Sequence, residues 1–480
     1  MRKTILINII AIATALCLGG CDISDLLDFG NKSENNVTNA DNAVTMDGVI
    51  QEDAPVIVIN DGDKPYYTEA DLVEDEQEEG TTEVIQEEVV PQYEEIFNPE
   101  TGESSVMTAD PNQITMSFVG DMGFAEGYAT INRYRQQSDG IYGCMDEEVI
   151  AIMQGSDIMM ANNEFPYSYR GSPTPNKTYT FRADPKDVKI MNDLGVDIVS
   201  LANNHMYDYG PDALLDTLDT LDGAKVARVG AGANIDGAKR PAYIHANGKI
   251  IAFVSATQIE RYANPDTKEA TADSPGVLRT LNPDMTVSVI EEAAANSDFV
   301  VMYVHWGSES TDLVEQSQRD LAKAYAAAGA DLIIGDHSHC LQGIDYVDGV
   351  PVFYSLGNFW FNSRTLDTCI VRATLDNDCN ISKLEFIPCI QTGCSVKIGN
   401  GDNFDRILEY MRGISNYAEI DEYGCVTRSD TDHNIQHGQN TSPAKKVEAP
   451  KEVTPEAIDP ALIPMIDPSL LPAPQEEVPQ

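Results

Sequence analysis

The sequence predicts an α/β fold built on mostly parallel strands, and three observations carry that prediction. Between residues 111 and 425, short apolar runs alternate with segments of helical periodicity. Five of those runs end in a polar or ionisable cluster, and ligands of open α/β folds sit beyond the carboxyl ends of strands. Outside this block the pattern stops: residues 22–110 are acidic and poor in apolar periodicity, and the stretch after about residue 440 is rich in proline.

Taken in order, strand 114–119 ends at Gly120-Asp121. A helix over 146–154 leads to strand 157–161, which ends at Asn162-Asn163-Glu164. A helix over 185–193 leads to strand 196–201, which ends at Asn203-Asn204-His205. A helix over 211–221 follows, opening on Pro211 at its first position. A hairpin then joins 242–245 to 250–255 around Asn247-Gly248, a pair suited to positive φ. A helix over 285–295 leads to strand 299–304 and His305. The Ala-rich helix 317–328 leads to Leu332-Ile333-Ile334, then Asp336-His337-Ser338-His339. Strands through 369–375 and 381–387 close the domain. Cys369 and Cys389 flank that last turn symmetrically, as a cross-strand bridge or as two reduced core thiols.

The ends bear on location. Arg2 and Lys3 precede an apolar run over 5–18 that is short of a membrane span, the pattern of a secretory signal. Leu18-Gly19-Gly20-Cys21 resembles a bacterial lipobox, so residues 1–21 are expected to be a leader ending at a lipidated Cys21. The expected location is the outer face of the bacterial cytoplasmic membrane, or secretion if the lipobox is not used. Residues 22–110 are expected to be an acidic linker, 111–425 one large α/β domain and 426–480 a Pro-rich tail. The chain carries 31 basic and 78 acidic residues, a net charge of -47, which argues against nucleic acid as a partner.

Each strand-end residue has an ordinary reading: Asp121 as a helix cap, Asn203-Asn204 as a turn, Glu164 as a surface charge. Together they are more informative. Four of the seven histidines stand at strand ends, with carboxylates at two more and no Cys-x-x-Cys in the chain. Imidazole, carboxylate and amide oxygen without thiolate suit manganese, zinc or iron. Asp121, Glu164, Asn204, His205, His305, His337 and His339 exceed the four ligands of a structural zinc and suit two ions sharing a carboxylate, the arrangement for displacement at phosphorus. Arg182 is a candidate for binding an oxyanion or for a surface ion pair, and Asn203 is a second candidate substrate contact.

The succession Val119-Gly120-Asp121, Asn163-Glu164, Leu201-Ala202-Asn203-Asn204-His205 with Asp208 and Gly210, His305-Trp306-Gly307 with Glu309, Gly335-x-His337-x-His339 and Ser355-Leu356-Gly357-Asn358-Phe359 resembles the CapA family. These capsule-synthesis proteins are associated with poly-γ-glutamate and belong to the calcineurin-like metallophosphoesterase superfamily. The resemblance implies a four-layer α/β/β/α sandwich with a dinuclear centre. Asp121 and His339 would bind one ion, Asn204, His305 and His337 the other, and Glu164 would bridge. His205 would be the general acid, with Asp208 orienting it. The Ser355–Phe359 stretch is read as structural. Three departures stand out: Gly123 replaces a ligand His of the wider superfamily, Glu164 replaces Asp, and Asp336 precedes His337 where relatives often carry another His. The implied function is a metal-dependent hydrolase of a phosphorylated or polyanionic envelope substrate, linked to capsule machinery. The alternative is an accessory component that binds carboxylates or acts on an amide.

Overall fold

The computed structural model describes residues 95–259, 267–431 and 433. The leader, Cys21, most of the acidic segment and the Pro-rich tail lie outside the described residues. Two eight-stranded sheets form the centre. In the first, the order is Ser395–Ile398, Ile381–Thr392, Leu366–Leu375, Ile114–Met122, Ile158–Asn163, Ile198–Ser200, Ala227–Val229, with Asn358–Trp360 also paired to Ile114–Met122. In the second it is Phe97–Asn98, Glu103–Ser105, Ala242–Ala246, Lys249–Thr257, Phe299–His305, Leu332–Asp336, Val350–Phe353, Ile344–Val347. In the first sheet an antiparallel half adjoins a parallel half that ends at Ala227–Val229; in the second, antiparallel pairs stand on both sides of the parallel run from Lys249–Thr257 to Val350–Phe353.

Three apolar cores stack these sheets into four layers. Met116, Phe118, Ile158 and Met160 of the first sheet pack with Phe253, Val301, Tyr303 and Leu332 of the second. Met159, Ala161 and Val199 point the other way, onto Val149, Met153, Ile190 and Leu214 of the helices outside the first sheet. Val300, Met302 and Val304 face Val289, Ile290, Leu321 and Tyr325 of helices Asp284–Asn296 and Gln316–Ala328. Alternate residues of one strand therefore enter different cores, and both sheet faces are dry. That is why the parallel strands read as unbroken apolar runs. The result is the α/β/β/α sandwich that the motif succession implies.

Four of the parallel-strand entries share a device. Asp157, Asp197, Asp298 and Asp331 each stand at the start of an apolar strand and accept a backbone N–H from a neighbouring strand: Thr115, Met159, Ile250 and Val300 respectively, at 2.7–2.8 Å. Each carboxylate satisfies a donor that the ladder leaves open at its lower edge. Other local signals also hold. Asn247 and Gly248 take φ 49° and 72° in the hairpin turn. Glu315 and Gln318 form a reciprocal cap at the start of Gln316–Ala328, and Gly329 closes it at φ 107°.

Several expectations need correction. The folded unit begins before residue 111: Glu103–Ser105 pairs in parallel with Tyr243-Ile244-His245, and Phe97–Asn98 pairs with it in turn. It also continues past 425, because Val426–Arg428 pairs with Ala418–Ile420. Both additions are two- or three-residue edge strands, too short to show a period. The segment over 185–193 is one 3₁₀ turn, Pro185–Val188, followed by the short α-helix Lys189–Asp193. Of the two readings open for Cys369 and Cys389, the structure has the reduced core thiols; every described cysteine is a free thiol. Cys369 stands opposite Pro388 and Cys389 opposite Thr368. That one-residue offset sends the two side chains into different cores.

Burial pushes the Asp197 carboxyl up to about 7. A carboxyl raised in the folded state holds its proton better folded than unfolded, so its stability contribution is full below about pH 4 and is lost as pH rises through about 7. Asp197→Asn keeps an oxygen for the Met159 N–H without that loss. Its stability relative to wild type should improve by about 1–3 kcal/mol between pH 5 and pH 8, read by urea denaturation at both pH values. Parallel pH profiles would show that Asp197 does not titrate there.

Candidate metal centre

The carboxyl ends of the parallel strands in both sheets meet at one crevice. The first sheet delivers Asp121, Asn162 and Glu164. Ile114–Met122 runs on three residues beyond the expected strand end, so Asp121 lies inside it and pairs with Asn162. Gly120 makes this possible. A Cβ there would lie 2.0 Å from the Gly357 carbonyl oxygen, which accepts the Asp121 N–H at 3.0 Å. The second sheet delivers His305 and Asp336, which are direct partners across parallel strands. Two turns complete the ring: Asn203-Asn204-His205 after Ile198–Ser200, and His337-Ser338-His339 after Leu332–Asp336.

The donors converge. Ligand atoms of Glu164, His305 and His337 lie within 4.8 Å of one another, as do those of Asp121, Glu164 and His339, and those of Asp121, His305 and Asp336. His305 Nδ1 donates to Asp336 Oδ1 at 2.7 Å, leaving its Nε2 lone pair directed at Asn204 Oδ1, 2.8 Å away, and at His337 Nδ1, 3.0 Å away. Electron-rich atoms turned toward one another ask for a shared cation. His339 Nδ1 sits 3.0 Å from Asp121 Oδ2 and 2.8 Å from Asn358 Oδ1. Glu164 gives the plainest sign. It is fully buried, both carboxylate oxygens lack a hydrogen-bond partner, and Oε1 is 3.8 Å from His205 Nε2 and from His305 Nε2. This buried carboxylate–imidazole cluster has the donor chemistry of a divalent-cation site.

The electrostatics agree. Burial, reinforced by the Asp121 charge, pushes the Glu164 carboxyl far up, and burial does the same at Asp336. Burial lowers His305 to about 3, and lowers His337 further with help from His305. Although burial opposes it, the hydrogen bond that His339 donates to the Asp121 carboxylate and the negative charges around it raise His339 to about 10. Burial favours neutral His305 and His337, the state in which imidazoles donate lone pairs. His337 and His339 also take positive φ, 88° and 58°. Such backbone is rare for residues with a Cβ, and it turns alternate side chains of a tight turn toward the same crevice.

His205 occupies the crevice wall. Its ring stacks on Phe181 with centroids 4.2 Å apart, and its Nδ1 donates to Asp208 Oδ2 at 2.7 Å. The crevice has a volume of about 870 Å³ and is lined by Lys177, His205, Glu309, His337, His339 and Asn358, among others.

Of the sequence candidates, Asp121, Glu164, Asn204, His205, Asp208, His305, His337 and His339 come together. Arg182 and Asn203 do not line the crevice. Arg182 lies over the Tyr209 ring at 4.2 Å and donates to the Arg170 carbonyl. Strand-like alternation explains this, since Phe181 next to it points inward. Asn203 spends its amide on Asn162 Oδ1 and the Asn163 carbonyl, and its oxygen on the His205 N–H. It fastens the turn and has no group left for a substrate. Asn358, read as purely structural, instead touches His339. Asp336, Asn162 and Lys177 are also in the site's framework; the in-register pairing of Asp336 with His305 was the available signal for the first. At the departure from the superfamily pattern, a Cβ on Gly123 would meet the Phe361 ring at 2.6 Å. Phe361 fills the space of that missing ligand.

Glu164→Gln should cancel a metal response. Manganese should raise the melting temperature of metal-free wild type by several degrees, because a ligand bound only by the folded state stabilises it. It should leave Glu164→Gln nearly unmoved, while metal-free Glu164→Gln melts at or above metal-free wild type, having lost an unpaired buried carboxylate. An equal manganese shift in both proteins would remove Glu164 from the site.

Comparison with known proteins places this geometry. Residues 115–363 match the family model described as bacterial capsule synthesis protein PGA_cap. The PGA biosynthesis protein CapA of Bacillus subtilis (strain 168) is 32% identical over 272 residues, covering 56% of this chain and 69% of that protein. The capsule biosynthesis protein CapA of Bacillus anthracis is 34% identical over 312 residues, covering 62% and 73%. The crystal structure of TT1561 from Thermus thermophilus overlays at a TM-score of 0.33 with 9% identity over 55% of this chain and 98% of that one, too slight a likeness to add to the fold described above. The motifs, their order and the matched span make this chain a member of the bacterial capsule synthesis protein PGA_cap family.

Proposed function

We propose that this protein is a metal-dependent hydrolase of a phosphoester, held by a lipidated Cys21 on the outer face of the bacterial cytoplasmic membrane and working in capsule or poly-γ-glutamate synthesis. The observation that carries the catalytic part is Glu164, a buried carboxylate with no hydrogen-bond partner set among imidazoles. The capsule part is supported by relatives named for capsule and PGA biosynthesis. The anchor is supported by the lipobox-like Leu18-Gly19-Gly20-Cys21. Among the described residues no helix is long and apolar enough to cross a membrane.

In this reading Asp121, His339 and Asn358 would hold one divalent ion and Asn204, His305 and His337 another, with Glu164 available to either. Manganese, zinc and iron suit the donors. Bound ions supply Lewis-acid charge that offsets negative charge developing on phosphoryl oxygens. The chain's own residues do the rest. Asp336 fixes the His305 ring by holding its Nδ1 proton, which leaves Nε2 for binding. Asp208 fixes His205 in the same way, so Nε2 faces the crevice; in its doubly protonated form, with the Nδ1 proton held by the Asp208 carboxylate, His205 gives its Nε2 proton to the leaving oxygen. Phe181 and Phe361 pack against His205 and His339 and narrow water's access to them.

The test is the purified protein with manganese, assayed on phosphomonoesters, phosphodiesters and polyglutamate. Phosphoester turnover should require the metal and fall by orders of magnitude in His337→Ala. Equal turnover by wild type and variant would sink the catalytic assignment. Metal-dependent cleavage of polyglutamate alone would replace the phosphoester with an amide.

A further inference from the structure

Among the described residues, Lys177 is the one lysine side chain in the crevice wall, and it is built in: the side chain is 3% exposed and its partner Asp208 is 0% exposed. Its Nζ donates to Asp208 Oδ1 and to the Asn204 backbone carbonyl, both at 2.5 Å. A buried ammonium and a buried carboxylate each cost several kcal/mol to desolvate, so such a pair is retained only with tight geometry and further hydrogen bonds. Asp208 has them. Its Oδ2 also accepts from the Phe181 N–H at 2.7 Å and from His205 Nδ1.

The connectivity gives the pair a purpose. Asn204, His205 and Asp208 belong to one turn, which follows a strand of only three residues, Ile198–Ser200. Asn204 must aim its side-chain oxygen at His305, and His205 must aim Nε2 at the crevice. Lys177 grips this turn at both ends, through the Asn204 carbonyl and the Asp208 carboxylate. The segment carrying Lys177 is fastened there as well, since the Thr174 N–H and hydroxyl both donate to the Asp208 carbonyl.

We propose that Lys177 is a positioning residue of the metal centre: its buried ammonium pins the 204–208 turn so that Asn204 and His205 face the crevice together. The proposal rests on the metal-centre reading above. A charge is needed because a neutral donor would leave Asp208 as a buried anion supported only by His205 and one amide. Such an anion draws in water or swings away, and the turn loses its anchor.

Metal-free wild type, Lys177→Met and Thr174→Val should be titrated with manganese. Lys177→Met should weaken the binding step that depends on Asn204 by at least tenfold, the range for partners that orient metal ligands. Thr174→Val, which removes one hydroxyl tether of the same segment and no charge, should bind within about twofold of wild type, by the same reasoning. Wild-type affinity in Lys177→Met overturns the proposal. So does an equal loss in Thr174→Val, which would assign the effect to loop tethering. If Lys177→Met does not fold, Lys177→Gln is read in its place, with the same tenfold loss expected. Should wild type take no manganese, the metal reading fails by itself. Backbone amide exchange then decides the pin: the amides of 204–208 should exchange at least tenfold faster in the variant than in wild type, and equal rates overturn it.

Discussion

The structure depends on one constraint: several carboxylates are buried where two sheets end together, with too few proton donors for them. Asp121, Glu164 and Asp336 are all at 0% exposure and feel one another. Asp121 is answered by Asn162 and His339, and Asp336 by His305. Glu164 is answered by nothing within hydrogen-bond reach. Burying an unpaired carboxylate costs several kcal/mol even after relaxation. A fold keeps such a group when something positive is meant to arrive, and the imidazoles of His305 and His337, held neutral by burial, help complete a receptor for it.

That receptor needs rigid edges, and the four-layer sandwich supplies them. Each sheet is packed on both faces, so its strand ends cannot drift without disturbing a dry core. The strained elements sit at the tips. His337 and His339 adopt left-handed backbone, and the intervening Ser338 Oγ lies 2.7 Å from the Cys340 carbonyl and 2.8 Å from Ser355 Oγ. Those contacts hold the turn in a conformation it would not choose alone. Opposite, Gly120 lets the Gly357 carbonyl approach and thereby sets Asp121 beside Asn358. The Asp121 strand and the Asn358 strand thus form one half of the centre, and the His305 and Asp336 strands the other.

The sheet architecture was largely legible because strands buried on both faces show as apolar runs, and because each run leaves its polar terminus visible. The aspartates opening four of them were equally visible, though their role as caps for neighbouring strands needs the register. Short strands such as Glu103–Ser105 were hidden by their brevity within an acidic stretch. In the site, the ligand-type residues were legible from their positions at strand ends. Arg182 misled because residue type says nothing of which way an extended segment points; one residue along, Phe181 is the inward one. For Cys369 and Cys389 the sequence left a bridge and two core thiols open, because symmetry about a turn does not establish register. Lys177 had no local signal at all, since its partners lie 27 and 31 residues away in the chain.

The two halves of the centre are unequal, and the inequality follows from Phe361. On the Asp121 side a ligand from position 123 is ruled out, because the ring of Phe361 stands where its Cβ would be. That ring instead packs on His339, with centroids 5.1 Å apart, and on Phe181, at 5.5 Å. Phe181 in turn stacks on His205. The space a side chain at position 123 would take belongs instead to an aromatic bridge that joins His339 to His205 across the crevice mouth. The Asn204 side keeps two imidazoles, an amide oxygen and access to Glu164. The Asp121 side keeps one imidazole and relies on Asp121, Asn358 and the same Glu164. Each side offers four donors, but two are imidazoles beside His305 and only one beside His339, so under the proposed metal reading a borderline ion such as zinc would prefer the His305 side and a harder ion the His339 side.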